Sequence, residues 1–567
     1  MGKKSEGLNR REFLELAAVG ATGAAGLGLG APSAFAATPK RGGTLTCGMA
    51  WLIQTPDPHR RTGTWARQFS ALSYEGLTTP TSIGERLRII REKGPDAVPE
   101  VKPMLADSWE IEKGGTRYVF HLKKNVLFHN YKEFGSEDVK WSWERIKDPV
   151  HRCASRKLLA LYLKSVETPD KYTVVANLER PYAAFLIANA WCNTCILPKD
   201  SIPKGAIWGE TPTFKPPTIA PMGTGPFQTV SYQQKREHVF EAFRDYRVKG
   251  LPYLDKIVYK VISKDVPRTM AVRAGNVDYA YGAEPNWTIK VLKGRKNWLN
   301  QPITLKKEGL VLFPRLNGTT LTIYLNAHDQ KDTPFKDVRV RQALDYCIDR
   351  ATLAKTLYDI LVVPMGQGFH PDISPWGYKD IKPKQRDIEK AKKLLKEAGY
   401  PNGLDVEFKI TPTWGKNDLM AQIVQQMAKP AGFRIKITPQ LGLAYWTNLR
   451  QYSYQMFVFT LAKEDPMNFY YPYLHTDPAK PYLGYSPSLG VKDPIMDKLL
   501  DDMAGETDLI KRKAKFKKVV LRSNEQSYFL PYQMNCGSNV WTTKLKNFKP
   551  WNYFYPEEGF QEAWLER

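Results

Sequence analysis

An α/β fold is what this sequence predicts, on three observations. From residue 320 onward, segments rich in β-branched and aromatic residues alternate with amphipathic helical ones: "TLTIYLNAHD", "PFKDVRVRQALDYCIDRATLAKTLY", "DIEKAKKLLKEAGYP", "LDVEFKITP", "NDLMAQIVQQMAKPAGF", "RIKITPQ" and "YQMFVFTL". Such alternation implies a lobe with a largely parallel sheet and helices on its faces. The helix over 387–398 is well marked, because Ile388, Ala391, Leu394, Leu395 and Ala398 form one stripe and Gly399 closes it. Composition is also globular, with 42% apolar and 25% charged residues. The length of 567 residues suits two or three domains with ample core.

The opening stretch "LNRREFLELAAVGATGAAGLGLGAPSAFAA" reads as an address. Its apolar part, 13–30, carries five glycines, each costing a helix about 1 kcal/mol relative to alanine. It is weakly hydrophobic and barely approaches the roughly 20 apolar residues of a membrane span. A charged start, a mild apolar run and Ala34-Phe35-Ala36 instead make a secretory signal cleaved between Ala36 and Ala37. The pair Arg10 and Arg11, followed by Glu12-Phe13-Leu14, fits the twin-arginine export type and implies the twin-arginine machinery as a partner. Residues 1–36 are therefore expected to be absent from a soluble periplasmic product.

The mature region opens with a strand in "KRGGTLTCGMAW", Leu45 and Cys47 on one face. "DSWEIEKGGTRYVFHLKKNVLFHN" reads as a meander: Trp109 and Ile111 point inward, Gly114-Gly115 turns, and Tyr118, Phe120 and Leu122 alternate again. A helix N-capped by Ser136 buries Val139 and Trp143. A strand follows in "DKYTVVANLE", then a helix entered at Pro181. A proline-rich loop precedes "GTGPF"; beyond it come extended segments, a helix stopped by Gly275 and a short strand. The last helix spans about 508–528.

The formal net charge of +25 is a weak pointer, because the basic residues are interspersed with acidic ones. The densest run, "KRKAKFKKVV", sits on a helix with the stripe Leu509, Phe516, Val519 and Val520, and reads as a solvated face. No nucleic-acid partner is expected of an exported chain. Cys47, Cys153, Cys192, Cys195, Cys347 and Cys536 lie in a compartment that permits disulfides, with a pairing that spacing does not define. Cys192 and Cys195 form a single C-x-x-C, read as a local disulfide or two buried thiols. Neither a metal-binding constellation, a phosphate loop nor a nucleophile elbow is present, so no cofactor, metal or catalytic set is expected.

Taken in order, "LADSWEIEKGGTRYVFHLKKNVLFHNYKEFGSEDVKWSWERI", "GTGPF", "PFKDVRVRQALDYCIDR", "KAKKLLKEAGYPNG", "EDPMNFYYPYLHTD" and "SYFLPYQMNC" resemble the family 5 extracellular solute-binding proteins of ABC transporters. The resemblance implies a two-lobed periplasmic binding protein fold of the type II, large-cluster kind. Lobe one would comprise 40–80, 195–315 and 532–567, with an inserted subdomain at 81–194, and lobe two would span 316–531. It implies a monomer that captures a small solute, peptide-like or opine-like or other, and delivers it to ABC permease subunits in the inner membrane. An exported enzyme on the same scaffold is the alternative. Ligand contacts carried over from the family fall at Thr62 and Gly63, at Thr413 and Trp414, and at the strand end Phe459, Leu461 and Ala462. Lys463 is a candidate polar anchor. Peptide-binding members hold the peptide ammonium with an aspartate three residues before the Asp-Pro pair; counting back from Asp465 gives Ala462, so free peptides are not the expected ligand.

Overall fold

Two long strands organise the molecule in the computed structural model. It describes residues 38–566 except 51–56, 61–70, 82–84, 86–87, 90–91, 95–100, 154–155, 191–193, 203–212, 215–221, 234, 329–330, 413–415, 462–464, 469, 477–488, 490 and 550–559. The strands Leu310–Leu325 and Phe529–Thr542 run antiparallel, with register shifts between Leu316 and Thr320 and between Leu321 and Thr322. They occupy the middle of a 13-stranded sheet. On one side lie Met456–Leu461, Leu404–Ile410 and Phe433–Pro439. On the other lie Tyr279–Ala280, Thr44–Met49, Lys256–Val261, Glu237–Ala242, Phe227–Gln233 and Thr213–Phe214.

The sheet is mixed rather than largely parallel. Crossover pairing joins Leu404–Ile410 to both Phe433–Pro439 and Met456–Leu461, and Thr44–Met49 to both Lys256–Val261 and Tyr279–Ala280. The two long strands pair antiparallel with their neighbours, and Phe227–Gln233 forms a direct hairpin with Glu237–Ala242. Strand–helix alternation signals only the crossover units, so the hairpins and the returning strand dilute the expected parallel order.

Three apolar clusters hold the layers of this sheet. Around Met456 and Val458, one packs sheet residues against Val340, Leu344, Ala391, Leu395, Met420 and Val424 of the helices. This confirms the stripe of the helix Ile388–Glu397, which Gly399 closes at φ 94°. Leu45 and Cys47 lie in the cluster on one face of the opposite half, with Phe240, Tyr279, Phe313 and Trp541. The other face of that half carries Val272, Leu312 and Val540.

The insert has its own four-stranded antiparallel sheet: Ala106–Glu112, Arg117–Leu122, Thr173–Leu178 and Leu163–Asp170. Tyr118, Phe120, Leu122, Val139 and Trp143 are buried as the alternation implied. Ile111 is not; it is 44% exposed on the edge strand. The helix Ser136–Lys147 begins at Ser136 rather than being capped by it. Asp138 reaches back to the Gly135 N–H (2.9 Å), while the Ser136 hydroxyl donates to the Asp170 carbonyl. After Pro181 only one turn forms, Phe185–Ala188. The insert's core is continuous with Tyr324, Phe457, Tyr470, Phe516 and Phe529 of the 316–531 segment, and the Ala183 N–H donates to the Ala504 carbonyl (2.9 Å).

"GTGPF" proves to be a close-packing motif. A Cβ at Gly223 would lie 1.8 Å from the Ser73 carbonyl oxygen, and one at Gly225 2.6 Å from that of Leu72. His129 of the insert clasps this turn, its Nε2 donating to Gly225 O and its Nδ1 accepting from the Gly223 N–H.

Candidate ligand-binding site

The register fixes where strand ends meet. Met456–Leu461 runs antiparallel to Leu310–Leu325 and ends with Leu461 opposite Thr320; the parallel strand Leu404–Ile410 ends at the same side. From the opposite half, Tyr279–Ala280 runs antiparallel to Phe529–Thr542 and heads toward lower numbers, and Thr44–Met49 runs parallel to it. Carboxyl ends from both halves therefore face the register breaks near residues 316–320 and 534–536. In open α/β sheets ligands bind outside such carboxyl ends, where strand order changes direction.

In sequence, the three expected contact segments follow or end the strands Thr44–Met49, Leu404–Ile410 and Met456–Leu461. Thr62 and Gly63 lie outside the described residues, but the turn Pro58–Arg60 just before them is anchored deeply. Arg145 of the insert helix donates to Asp57 (Nη2–Oδ2 2.6 Å) and to Nδ1 of His59 (2.8 Å), and His59 Nε2 donates to Cys195 O (2.8 Å). Burial opposes ionisation of Asp57, yet Arg145 outweighs it and holds the carboxyl below its usual range. Burial, aided by Arg145, pushes the His59 pKa down to about 4 and keeps the ring neutral.

Thr413 and Trp414 also lie outside the described residues. They connect Ile410 to the helix Asn417–Ala428, whose first residue donates from Nδ2 to the Thr411 carbonyl (3.3 Å). Leu461 is the last residue of its strand, and Ala462 and Lys463 are outside the described residues. Phe459 is half-buried against the Tyr324 ring, centroids 6.4 Å apart, and opposes Thr322.

Beyond Lys463 the chain is rooted by Asp465. Its Oδ1 accepts from Arg512 Nη2 (2.6 Å) and from the Met467 N–H (2.8 Å), and both ionic side chains are buried. Arg512 also lies under the Trp376 ring at 4.9 Å. Arg512 thus departs from the solvated face expected for the basic run. Helical spacing carries the signal, since 509, 512, 516, 519, 520 and 523 fall on one stripe. Asp57, His59 and Arg145 carried no comparable signal.

Cys47, Cys153, Cys347 and Cys536 are buried free thiols. Burial pushes the pKa of Cys153, Cys347 and Cys536 up to about 12, which leaves them unreactive. Cys195 is buried; Cys192 lies outside the described residues. Among the described residues there is no group of three or more His, Cys, Asp and Glu that could hold a metal ion, and no helix long and apolar enough to cross a membrane. An open hollow of about 570 Å³ on the insert is lined by Lys123, Lys124, Asn125 and Arg247. Lys123 is paired with Asp107 and Arg247 with Glu75, and the strand ends described above do not line it.

A long mixed sheet crossed by two shared strands, with an inserted subdomain, defines the two-lobed periplasmic binding protein fold. The periplasmic binding protein DppA from Helicobacter pylori, solved with the peptide STSA, superposes with a TM-score of 0.74 at 24% identity, covering 93% of this chain and 99% of that one. Heme-binding protein A of Haemophilus influenzae is 28% identical over 489 residues, 80% of this chain and 83% of that protein. The glutathione-binding protein GsiB of Pectobacterium atrosepticum is 29% identical over 335 residues, 59% of this chain and 60% of that one. The family model for bacterial extracellular solute-binding proteins, family 5 (middle) matches residues 100–481. This chain belongs to that family.

Proposed function

We propose that the protein is exported by the twin-arginine route, is cleaved between Ala36 and Ala37, and works in the periplasm as a monomeric, non-enzymatic component of an ABC importer. It captures a small solute between two lobes and passes it to permease subunits in the inner membrane. The observation that carries this reading is the convergence of strand carboxyl ends from both halves on the crossing of the two long strands. Lobe one at 40–80, 195–315 and 532–567, the insert at 81–194 and lobe two at 316–531 form the working units. The register breaks beside Leu316 and Leu321 support that division, because a bulged ladder is where paired strands bend. Heme, glutathione and peptide, named for the relatives above, set the range of solute classes. Thr62, Gly63, Thr413, Trp414, Phe459, Leu461, Ala462 and Lys463 are its proposed contacts.

Native mass spectrometry of protein released from the periplasm identifies the bound solute. Added back at about 100 times its Kd, that solute should stabilise the fold by roughly 2.7 kcal/mol, shrink the particle in solution scattering, and be recovered unchanged. A chemically altered solute supports the enzyme alternative. Arg10→Lys/Arg11→Lys should abolish export; unchanged export rejects the twin-arginine route.

A further inference from the structure

Along one face of the two crossing strands the apolar core is interrupted. At one end Phe313 and Trp541 belong to the cluster around Tyr279; at the other, Ile323, Leu530 and Tyr532 belong to the cluster around Met456. Paired residues share a face, and the pairs between those ends are Arg315 with Gly537, Val362 with Asn535, and Leu321 with Gln533. Three polar side chains thus replace core where the strand ends converge. Arg315 is 4% exposed and lies against the ring of Tyr281, the residue that follows the strand Tyr279–Ala280, at 5.4 Å. Gln533 is 1% exposed; its Nε2 donates to Asn535 Oδ1 (2.6 Å), and its Oε1 has no hydrogen-bond partner among the described residues.

Core positions on a central sheet are normally apolar, and a buried acceptor normally has a donor. Here a guanidinium and an unpaired amide oxygen stand on the same face, four residues apart along one strand's register, or roughly 13 Å. We propose that Arg315, Gln533 and Asn535 are the floor of the solute site and select an acidic solute, its carboxylate on the Arg315 guanidinium and an N–H or O–H donor on Gln533 Oε1. Planar, two-pronged pairing suits guanidinium to carboxylate. This deepens the transport reading and rests on it.

The test uses the full mature protein with glutathione and the tetrapeptide Ser-Thr-Ser-Ala as acids, the carboxamide of each, and glucose as a neutral solute. Thermal shift and calorimetry are read for wild type, Arg315→Gln and Gln533→Leu. At least one acid should bind, its carboxamide should bind roughly 10- to 100-fold more weakly, and Arg315→Gln should impose a similar loss on the acid while leaving the carboxamide unchanged. Gln533→Leu should weaken both acid and carboxamide. The carboxamide comparison needs no variant, so it stands even where a substitution prevents folding. Acid and carboxamide binding alike, an Arg315→Gln variant of undiminished affinity, or stabilisation by none of the acids overturns the inference. Tight binding that ignores Arg315 defeats only this inference, whereas a solute recovered altered defeats the transport reading.

Discussion

Replacing Arg512 by Met should destabilise the protein severely, although it lies on a helix surface run of lysines. Asp465 is fully buried, Arg512 is 2% exposed, and their oxygen and nitrogen lie 2.6 Å apart. Removing one member of such a pair leaves the other charge in a medium that solvates it poorly, a loss of about 3–5 kcal/mol. Met keeps much of the volume of the Arg stem, so the loss reports the guanidinium, both its pairing with Asp465 and its place 4.9 Å from the Trp376 ring centroid. The double variant Asp465→Asn/Arg512→Met removes both charges and keeps an oxygen for the Met467 N–H; most of the lost stability should return. Equilibrium urea unfolding of wild type, both single variants and the double variant gives the coupling energy. A cost below about 1 kcal/mol for Arg512→Met, or a double variant that costs the sum of the singles, refutes the anchoring argument.

Acid should weaken the fold between pH 6.5 and 4 through two histidines. His59 and His129 are both held neutral by burial, with pKa values down at about 4. The unfolded chain binds protons there that the fold refuses, so stability rises with pH across that window by on the order of 3 kcal/mol per histidine. Urea midpoints measured from pH 7 to pH 4 check this; a flat profile contradicts it. Asp345, buried beside Arg350 and Lys384, has its pKa lowered against the opposing effect of burial. Its contribution is present above the unfolded aspartate pKa and is lost as pH falls through the lower folded value. Asp345→Asn should therefore flatten the most acidic limb of the same profile. The family resemblance puts Ala462 where an ammonium-binding aspartate would stand, and on that reading N-acetylation of di- to pentapeptides should not change their affinity in calorimetry. Submicromolar binding abolished by acetylation contradicts that.

The helices and most strands of the 316–531 segment were legible because their apolar periods are long and uninterrupted, as in Ile388–Glu397 and Leu404–Ile410. Sheet order was not, because hairpin and crossover pairing depend on which strands return to the middle, and Phe529–Thr542 returns from about 200 residues beyond Leu325. Capping at Ser136 and inward Ile111 failed for local reasons. Asp138 satisfies the helix start from inside, and the edge strand Ala106–Glu112 buries only part of its face. The candidate segments are expectations from family motifs, whereas the pairing of the buried groups that anchor their neighbours carries no motif at all. Asp57 meets Arg145 across 88 residues and Asp465 meets Arg512 across 47, separations that no local pattern encodes.

A crystal structure of the mature protein with the solute it carries from the periplasm tests the central claim most directly. The account predicts solute density between the lobes, against the crossing of Leu310–Leu325 with Phe529–Thr542 and within reach of residues 62–63, 413–414 and 459–463. Density confined to the hollow lined by Lys123, Lys124 and Arg247, or to any other surface away from the strand ends, contradicts it.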